Sequence, residues 1–179
     1  MGIPAAPLRA QALAPAPLAG GAVTFLVHST FVGGIAGHAP FAEARFSGDD
    51  LRLVRGFAVV RVADMQTGNG ARDRHLRETL RADSFPTIRF DLDSLEVGAS
   101  TGDRVAVFFR GRLTIHGVTR SVRAPGSVAL AAGRVDVDAR FPIDMRDYAV
   151  RPPVRALVLR VAPDVVVSAH LAFAGPAPN

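Results

Sequence analysis

Long stretches of this chain alternate between apolar and polar residues. The pattern is cleanest from Arg134 to Arg146, where one parity carries apolar side chains and the other carries arginine and aspartate. Successive side chains of an extended strand point to opposite faces, so this period of two predicts a half-buried β-strand. Comparable patterns predict seven further strands, in residues 23–28, 41–46, 51–65, 88–93, 104–115, 118–123 and 154–173. Glycines at 33, 34 and 37 predict a bend or bulge, and Pro163-Asp164 predicts an interruption of the last strand.

The middle of the chain predicts a long hairpin. Val105, Val107 and Phe109 share a parity with the apolar residues that follow, and Phe108 alone breaks it by placing an apolar ring among polar positions. The pattern reverses at His116-Gly117, where glycine tolerates the positive φ of a tight turn. A hairpin flanked by other strands predicts one continuous antiparallel sheet.

One segment predicts a helix, over residues 71–82. Asn69-Gly70 precedes it, Leu76 and Leu80 lie four residues apart on one face, and the other positions are largely charged. Phe85-Pro86 follows its end. The apolar stripe is too narrow to build a core alone, so we expect a short helix resting on the end of a sheet or barrel.

About eight one-sided antiparallel strands can form a sandwich or a closed barrel. Their length favours a barrel, because closure removes exposed edges. An outer-membrane barrel would need aromatic girdles, and the chain has no Trp and one Tyr. We expect residues 1–22, rich in Ala, Pro and Gly, to form a flexible arm, residues 23–174 to form one domain, and residues 175–179 a short tail.

Composition excludes several kinds of chemistry. The chain has 179 residues and no cysteine, so disulfides and cysteine-ligated metals are excluded. All 21 basic residues are arginine, and 16 acids bring the formal net charge to +5. The arginines are spread along the strands rather than clustered, so no nucleic-acid partner is expected. The five histidines form no metal-ligand pattern, and no catalytic motif is present, so we expect no metal site and no enzyme.

Three ordered motifs resemble the YceI-like family. Residues 68–76, GNGARDRHL, continued by 85–90, FPTIRF, resemble its "tG…RD.HL…P.i.F" signature. Residues 111–120, GRLTIHGVTR, resemble its "G.LtihGvtr" segment. Residues 140–150, RFPIDMRDYAV, resemble its "f.i.rsdyGi" segment, with Ala149 where glycine is usual.

This resemblance implies an all-β fold, an extended lipocalin-like barrel of eight antiparallel strands with one short helix closing an end. It implies a cavity for a polyisoprenoid, isoprenoid quinone or fatty-acid derivative, with no required cofactor and links to transport or stress. The family also implies a periplasmic or secreted bacterial protein, and Ala10-Gln11-Ala12 has the small-x-small form of a signal-peptidase site. The resemblance is also compatible with transient contact with a membrane surface and with a homodimer.

The expected wall of the cavity consists of residues on the inward parity of the strands. They are Phe25, Val27, Phe57, Phe90, Phe109, Leu113, Ile115, Phe141, Ile143, Met145, Leu157, Leu159, Leu171 and Phe173. Ordinary core packing is the alternative for each of them. The residues expected at the mouth or lid are Arg72, Asp73, His75, Leu76 and Leu80. For Arg72, Asp73 and His75, a network that fixes the helix start is favoured over binding of a lipid head group.

Three functions fit the sequence. The first is carriage, storage or sequestration of a long-chain lipid, and the second is a barrel enzyme acting on a hydrophobic isoprenoid or fatty-acyl substrate. The third is an arginine-rich scaffold that binds anionic lipid surfaces or nucleic acid, and its affinity would fall steeply with salt.

Overall fold

The computed structural model describes residues 17–29, 33–48, 50–131, 133–151 and 161–174. These residues form nine strands and one α-helix. In chain order they are β1 (Leu18–Ser29), β2 (Gly33–Pro40), β3 (Glu43–Ser47), β4 (Arg55–Arg61), α1 (Gly70–Thr79), β5 (Thr87–Thr101), β6 (Arg104–Ile115), β7 (Val118–Ala131), β8 (Arg134–Asp144) and β9 (Val161–Ala174). Short 3-10 turns occupy Leu51–Leu53, Val62–Asp64 and Met145–Tyr148.

The described strands form one antiparallel sheet in the order β2-β1-β9-β8-β7-β6-β5-β4-β3. The sheet curls so that its two edges approach each other. His38 of β2 exchanges backbone hydrogen bonds of 2.8 and 2.9 Å with Gln66, which follows β4. The expected all-β barrel class with one helix is therefore confirmed, with nine described strands rather than eight. No helix among the described residues is long and apolar enough to cross a membrane.

The first strands differ from the prediction. β1 begins at Leu18 rather than Val23, so residues 18–22 belong to the sheet and not to an arm. The glycine-rich stretch from Gly33 forms β2 instead of a bend. Its glycines make room for a ring, because a Cβ on Gly37 would lie 2.1 Å from Cζ of Phe25.

Two other predicted strands also need correction. The long strand expected over residues 51–65 is broken by 3-10 turns at both ends, which leaves only β4. The strand expected over residues 134–146 ends at Asp144, where the Met145–Tyr148 turn begins. In β9, Pro163 lies within the strand, and the predicted interruption appears as a register shift of the β1–β9 ladder between Val27↔Val165 and Ser29↔Val161.

The central hairpin is confirmed. β6 and β7 pair from Arg104↔Ala129 to Ile115↔Val118. His116 (φ 52°) and Gly117 (φ 76°) form the two-residue turn, and both adopt the left-handed conformation that such a turn requires.

The helix is also confirmed, although it is shorter than predicted. The Asn69 side chain accepts hydrogen bonds of 3.1 Å from the backbone N–H groups of Ala71 and Arg72, which caps the first turn. The helix ends at Thr79, and Arg81 then takes a left-handed conformation with φ 50°. Leu80 is buried at the inner side of this end.

The interior divides into two apolar clusters. The packed end contains Leu92, Leu95, Val105, Val107 and Phe173, with other buried residues of the same sheet. The helix end is built around Val62, Met65, Leu80, Tyr148 and Val150. The two clusters share partly buried side chains at mid-barrel, where the candidate site lies.

Candidate functional site

A cavity of about 200 Å³ occupies the barrel interior from mid-length to the helix end. All nine described strands and α1 contribute to its wall, which consists almost entirely of apolar atoms. Since one water-sized group takes up roughly 30 Å³, the cavity has space for about seven such groups. Its shape and chemistry suit an alkyl or prenyl chain.

Glycines on the inner face keep the cavity open. A Cβ on Gly111 would lie 2.7 Å from Cζ of Phe90, and a Cβ on Gly126 would lie 2.6 Å from Cε2 of Phe109. Each ring therefore rests against the glycine of the adjacent strand, in space that any other residue would fill. Two further pairs have this arrangement, Phe25 with Gly37 and Phe46 with Gly56. Large aromatic side chains thereby form the wall without filling the lumen.

The packed end closes the cavity on one side. The rings of Phe46 and Phe173 meet edge to face, with centroids 5.7 Å apart and an interplanar angle of 85°. Phe46 lines the cavity, whereas Phe173 lies behind it and is 3% exposed. These rings form a floor that limits how far a chain can reach.

The helix closes the other side. Leu76 and Leu80 line the cavity, as the pattern of the helix predicts. Asp73 anchors the helix start, because its Oδ1 accepts hydrogen bonds from the backbone N–H of Thr67 at 2.7 Å and from the Thr67 hydroxyl at 2.6 Å. The hydroxyl hydrogen bond is the largest cause that holds the pKa of Asp73 below its usual value.

The polar residues expected at the mouth do not line the cavity. Arg72 donates to the carbonyl oxygen of Thr67 at 3.2 Å, and His75 Nδ1 lies 3.1 Å from Glu78 Oε2. Arg72 and Asp73 thus belong to the network that fixes the start of the helix. His75 pairs along the helix surface.

Ten of the fourteen residues expected in the wall do line the cavity. They are Phe25, Val27, Phe90, Phe109, Leu113, Ile115, Phe141, Ile143, Met145 and Leu171. Leu157 and Leu159 fall outside the described residues. Whether these side chains contact a lipid belongs to the proposal below.

Two expected wall residues lie elsewhere. Phe57 is on the outer face of β4, where the Arg89 guanidinium sits 4.0 Å from its ring centroid. The neighbouring Ala58 and Val60 point inward instead. Phe173 faces inward but belongs to the packed end, so it supports the floor rather than the wall.

Sequence reasoning missed several wall residues because they are small or lie at strand ends. They are Val23, Ala39, Phe41, Phe46, Ala58, Val60, Met65, Ile88, Ala124, Val137, Ala139, Tyr148, Val150, Val165, Val167 and Ala169. Many share the inward parity of the predicted residues, which is a signal that could have found them. Parity could not show that Ala139 and Ala169, which face each other across β8 and β9, leave space beside them.

The cavity has little capacity for acid–base chemistry. Tyr148 is the only titratable side chain among the described lining residues, and burial is the main cause that raises its pKa above the usual value. Its phenol is therefore protonated at neutral pH. Among the described residues, no group of three or more His, Cys, Asp or Glu side chains could hold a metal ion.

The outer face carries the charges. Arg123 donates to Glu96 Oε2 at 2.7 Å through Nη2, and its guanidinium carbon lies 3.4 Å from the ring centroid of Phe108. Arg110 also binds Glu96. Phe108, the apolar residue among the polar positions of β6, is thus covered by Arg123. The sheet separates this charged surface from the cavity.

Comparisons with known proteins agree with this architecture. In the solved structures, similar chains include BcnA of Burkholderia cenocepacia, with 19% identity over 85% of this chain and 95% of that chain and a TM-score of 0.70. A polyisoprenoid binding domain from Saccharophagus degradans, implicated in plant cell wall breakdown, has 16% identity, coverages of 89% and 97%, and a TM-score of 0.68. The YCEI protein of Campylobacter jejuni has 16% identity, coverages of 78% and 86%, and a TM-score of 0.56.

At these identities the solved structures establish the fold alone. A comparison with curated proteins finds no match. The family model described as the YceI-like domain matches residues 18–173, which span the whole barrel from β1 to β9. The chain therefore belongs to the YceI-like family.

Proposed function

We propose that this protein binds the apolar chain of a single long-chain lipid, a polyisoprenoid or a comparable amphiphile, inside the barrel cavity. The observation that carries the proposal is the cavity itself, about 200 Å³ in volume and walled almost entirely by apolar atoms. The name of the Saccharophagus degradans relative, a polyisoprenoid binding domain, supports the same class of ligand.

The energetics favour long chains. Burying about seven methylene groups contributes on the order of 6 kcal/mol at roughly 0.8 kcal/mol each. Loss of translational and rotational freedom and ordering of the chain cost roughly 4–15 kcal/mol. Part of that cost is the same for every chain, so the affinity should come from chain length and not from one polar contact.

We infer carriage, storage or sequestration rather than chemical conversion. The described lining residues hold no carboxylate, imidazole or thiol, and the phenol of Tyr148 is a weak acid in this setting. This composition supports a binding role, and incubation tests it. A bound lipid whose mass stays unchanged after prolonged incubation agrees with binding, whereas a new product would indicate an enzyme.

The test of binding is a chain-length series. Fatty alcohols of increasing length, which carry no charge, are titrated into delipidated protein by calorimetry. We expect Kd to fall about fourfold for each added carbon, and then to level off once the chain reaches the floor. Raising the salt concentration should leave Kd almost unchanged, because burial of a neutral chain releases no counterions.

A matched pair of variants locates the binding face. Phe90 lines the cavity and Phe57, on the adjacent strand, lies on the outer face. Phe90→Asn places an amide in the apolar wall and should weaken binding at least about tenfold, whereas Phe57→Asn should leave Kd unchanged. Equal effects of both substitutions, or a Kd independent of chain length, would contradict the proposal.

A further inference from the structure

The barrel wall has a seam between β7 and β8. Their ladder joins Gly126–Ala131 to Arg134–Ala139 and stops there. Residues 118–125 of β7 and 140–144 of β8 have no ladder to each other in the described part of the chain. Both segments remain paired on their other sides, β7 with β6 and β8 with β9. We call this gap in the hydrogen bonding the β7–β8 seam.

Two prolines explain why the ladder stops. Pro125 of β7 is the register partner of Phe108 in β6, and Pro142 of β8 is the partner of Val166 in β9. Since proline has no N–H, each pair must be of the non-hydrogen-bonded kind, in which the proline nitrogen faces away from its partner. Both missing donors therefore face the seam, one from each side.

Apolar side chains close the seam in place of hydrogen bonds. Phe141 and Ile143 line the cavity, and Val122 of β7 packs against the same apolar cluster. All three are only partly buried. The seam ends towards the helix where Arg120 Nε donates to the carbonyl oxygen of Asp147 at 3.0 Å. Parting the strands here requires side chains to rotate, but no ladder hydrogen bond between β7 and β8 has to break.

Packing or hydrogen bonds close several other parts of the described wall. The floor is formed by the aromatic pair at the packed end. Near the helix, Val62 and Val150 are 1% exposed and belong to the apolar cluster of that end. Where the barrel closes, His38 of the edge strand β2 and Gln66, which follows β4, exchange two backbone hydrogen bonds. Along the β7–β8 seam, in contrast, the described segments can part without breaking any ladder hydrogen bond between them.

We propose that the β7–β8 seam is the entrance through which a flexible acyl or prenyl chain slides sideways into the cavity. This inference rests on the proposed function. A linear chain needs only a narrow parting along its length, so it can enter between strands that stay paired on their outer sides. A broad fused-ring lipid would need the strands to separate much further.

Cross-linking tests the entrance directly, because the chain has no native cysteine. Arg123→Cys and Arg140→Cys place exposed thiols diagonally across the seam, where a short bismaleimide can join them. Arg123→Cys with Arg112→Cys is the matched control, since Arg112 lies at the same diagonal offset across the bonded β6–β7 ladder. Both pairs share one cysteine and remove two arginines.

The readout is the loading rate of a polyene fatty acid that fluoresces in apolar surroundings, measured by stopped flow before and after linking. Linking across the seam should slow loading at least about tenfold, whereas linking across β6–β7 should not change it. Linking after loading should slow release by a similar factor. An unchanged loading rate in the seam-linked protein would contradict the proposal that the seam is the entrance. Failure of the unlinked variants to bind the probe at all would overturn the proposed function, and the entrance with it.

Discussion

A larger side chain in the cavity wall should show whether the barrel interior is empty or already filled by side chains. Ala169 lies on β9 between Val23 of β1 and Ala139 of β8, and all three line the cavity. Ala169→Leu adds three carbons that can extend only into the lumen. They would take roughly two-fifths of the space available to about seven methylene-sized groups.

The substitution should move stability and affinity in opposite directions. Filling an empty cavity stabilises the ligand-free protein by about 0.5–2 kcal/mol, or roughly 2–4 °C in Tm per kcal/mol for a chain of this size. A bound chain loses about three buried methylenes, which costs about 2.4 kcal/mol and raises Kd on the order of 60-fold. Thermal unfolding of delipidated protein and calorimetric titration with a long fatty alcohol measure the two effects.

Ala44 provides the matched control. It is 5% exposed, belongs to the packed cluster and does not line the cavity. Ala44→Leu should overpack that cluster, lower stability by about 1–3 kcal/mol and leave Kd unchanged. If Ala169→Leu also lowers Tm and leaves Kd unchanged, side chains already fill the space beside Ala169 and no lipid chain passes there.

Three further predictions follow from individual side chains. Phe109→Trp or Phe141→Trp should narrow the cavity and raise the Kd of a long prenyl chain more than that of a short one. Equal increases in the two Kd values would place these rings in a filled core. Thr67→Val removes the hydroxyl that lowers the pKa of Asp73, so the variant should be less stable than the native protein at neutral pH. That deficit should begin to fade below about pH 4, the usual pKa of an aspartate, and disappear as pH falls through the lowered pKa of Asp73 in the native protein. A stability deficit that persists in acid would assign the effect to packing. Ala149 has φ 55°, in the left-handed region, so Ala149→Gly should raise the free energy of unfolding, measured by urea denaturation, by about 1 kcal/mol. A lower free energy of unfolding would show that packing of the Ala149 methyl group outweighs the relief of backbone strain.

The period-two pattern determined most of the sheet without help from tertiary structure. β6 and β8 alternate so regularly that Leu113, Ile115 and Ile143 could be assigned inward from sequence alone, and the structure places them in the wall. The turn at His116-Gly117 and the cap at Asn69 were equally local, since each depends on the conformation of one or two residues.

The alternation of apolar and polar residues could not identify the inner face of a strand where both faces are apolar. In β4, Phe57 and Val59 share one parity and Ala58 and Val60 the other, so alternation alone cannot choose the inner face. Neighbouring strands choose it: Arg89 of β5 covers Phe57 from outside. The glycines of β2 predict a bend from sequence alone for a related reason: the ring that occupies the space beside Gly37 belongs to Phe25 on another strand.

Sequence also shows which side chains point inward but not how many share one cross-section of the barrel. Phe109 and Phe173 both lie on inward parities, yet the first rests on Gly126 beside open space and the second packs against Phe46. Sheet curvature and the register of distant strands make that difference. The β7–β8 seam has the same origin: Pro125 and Pro142 are visible in the sequence, but only strand pairing shows that both missing donors face the seam, one from each side.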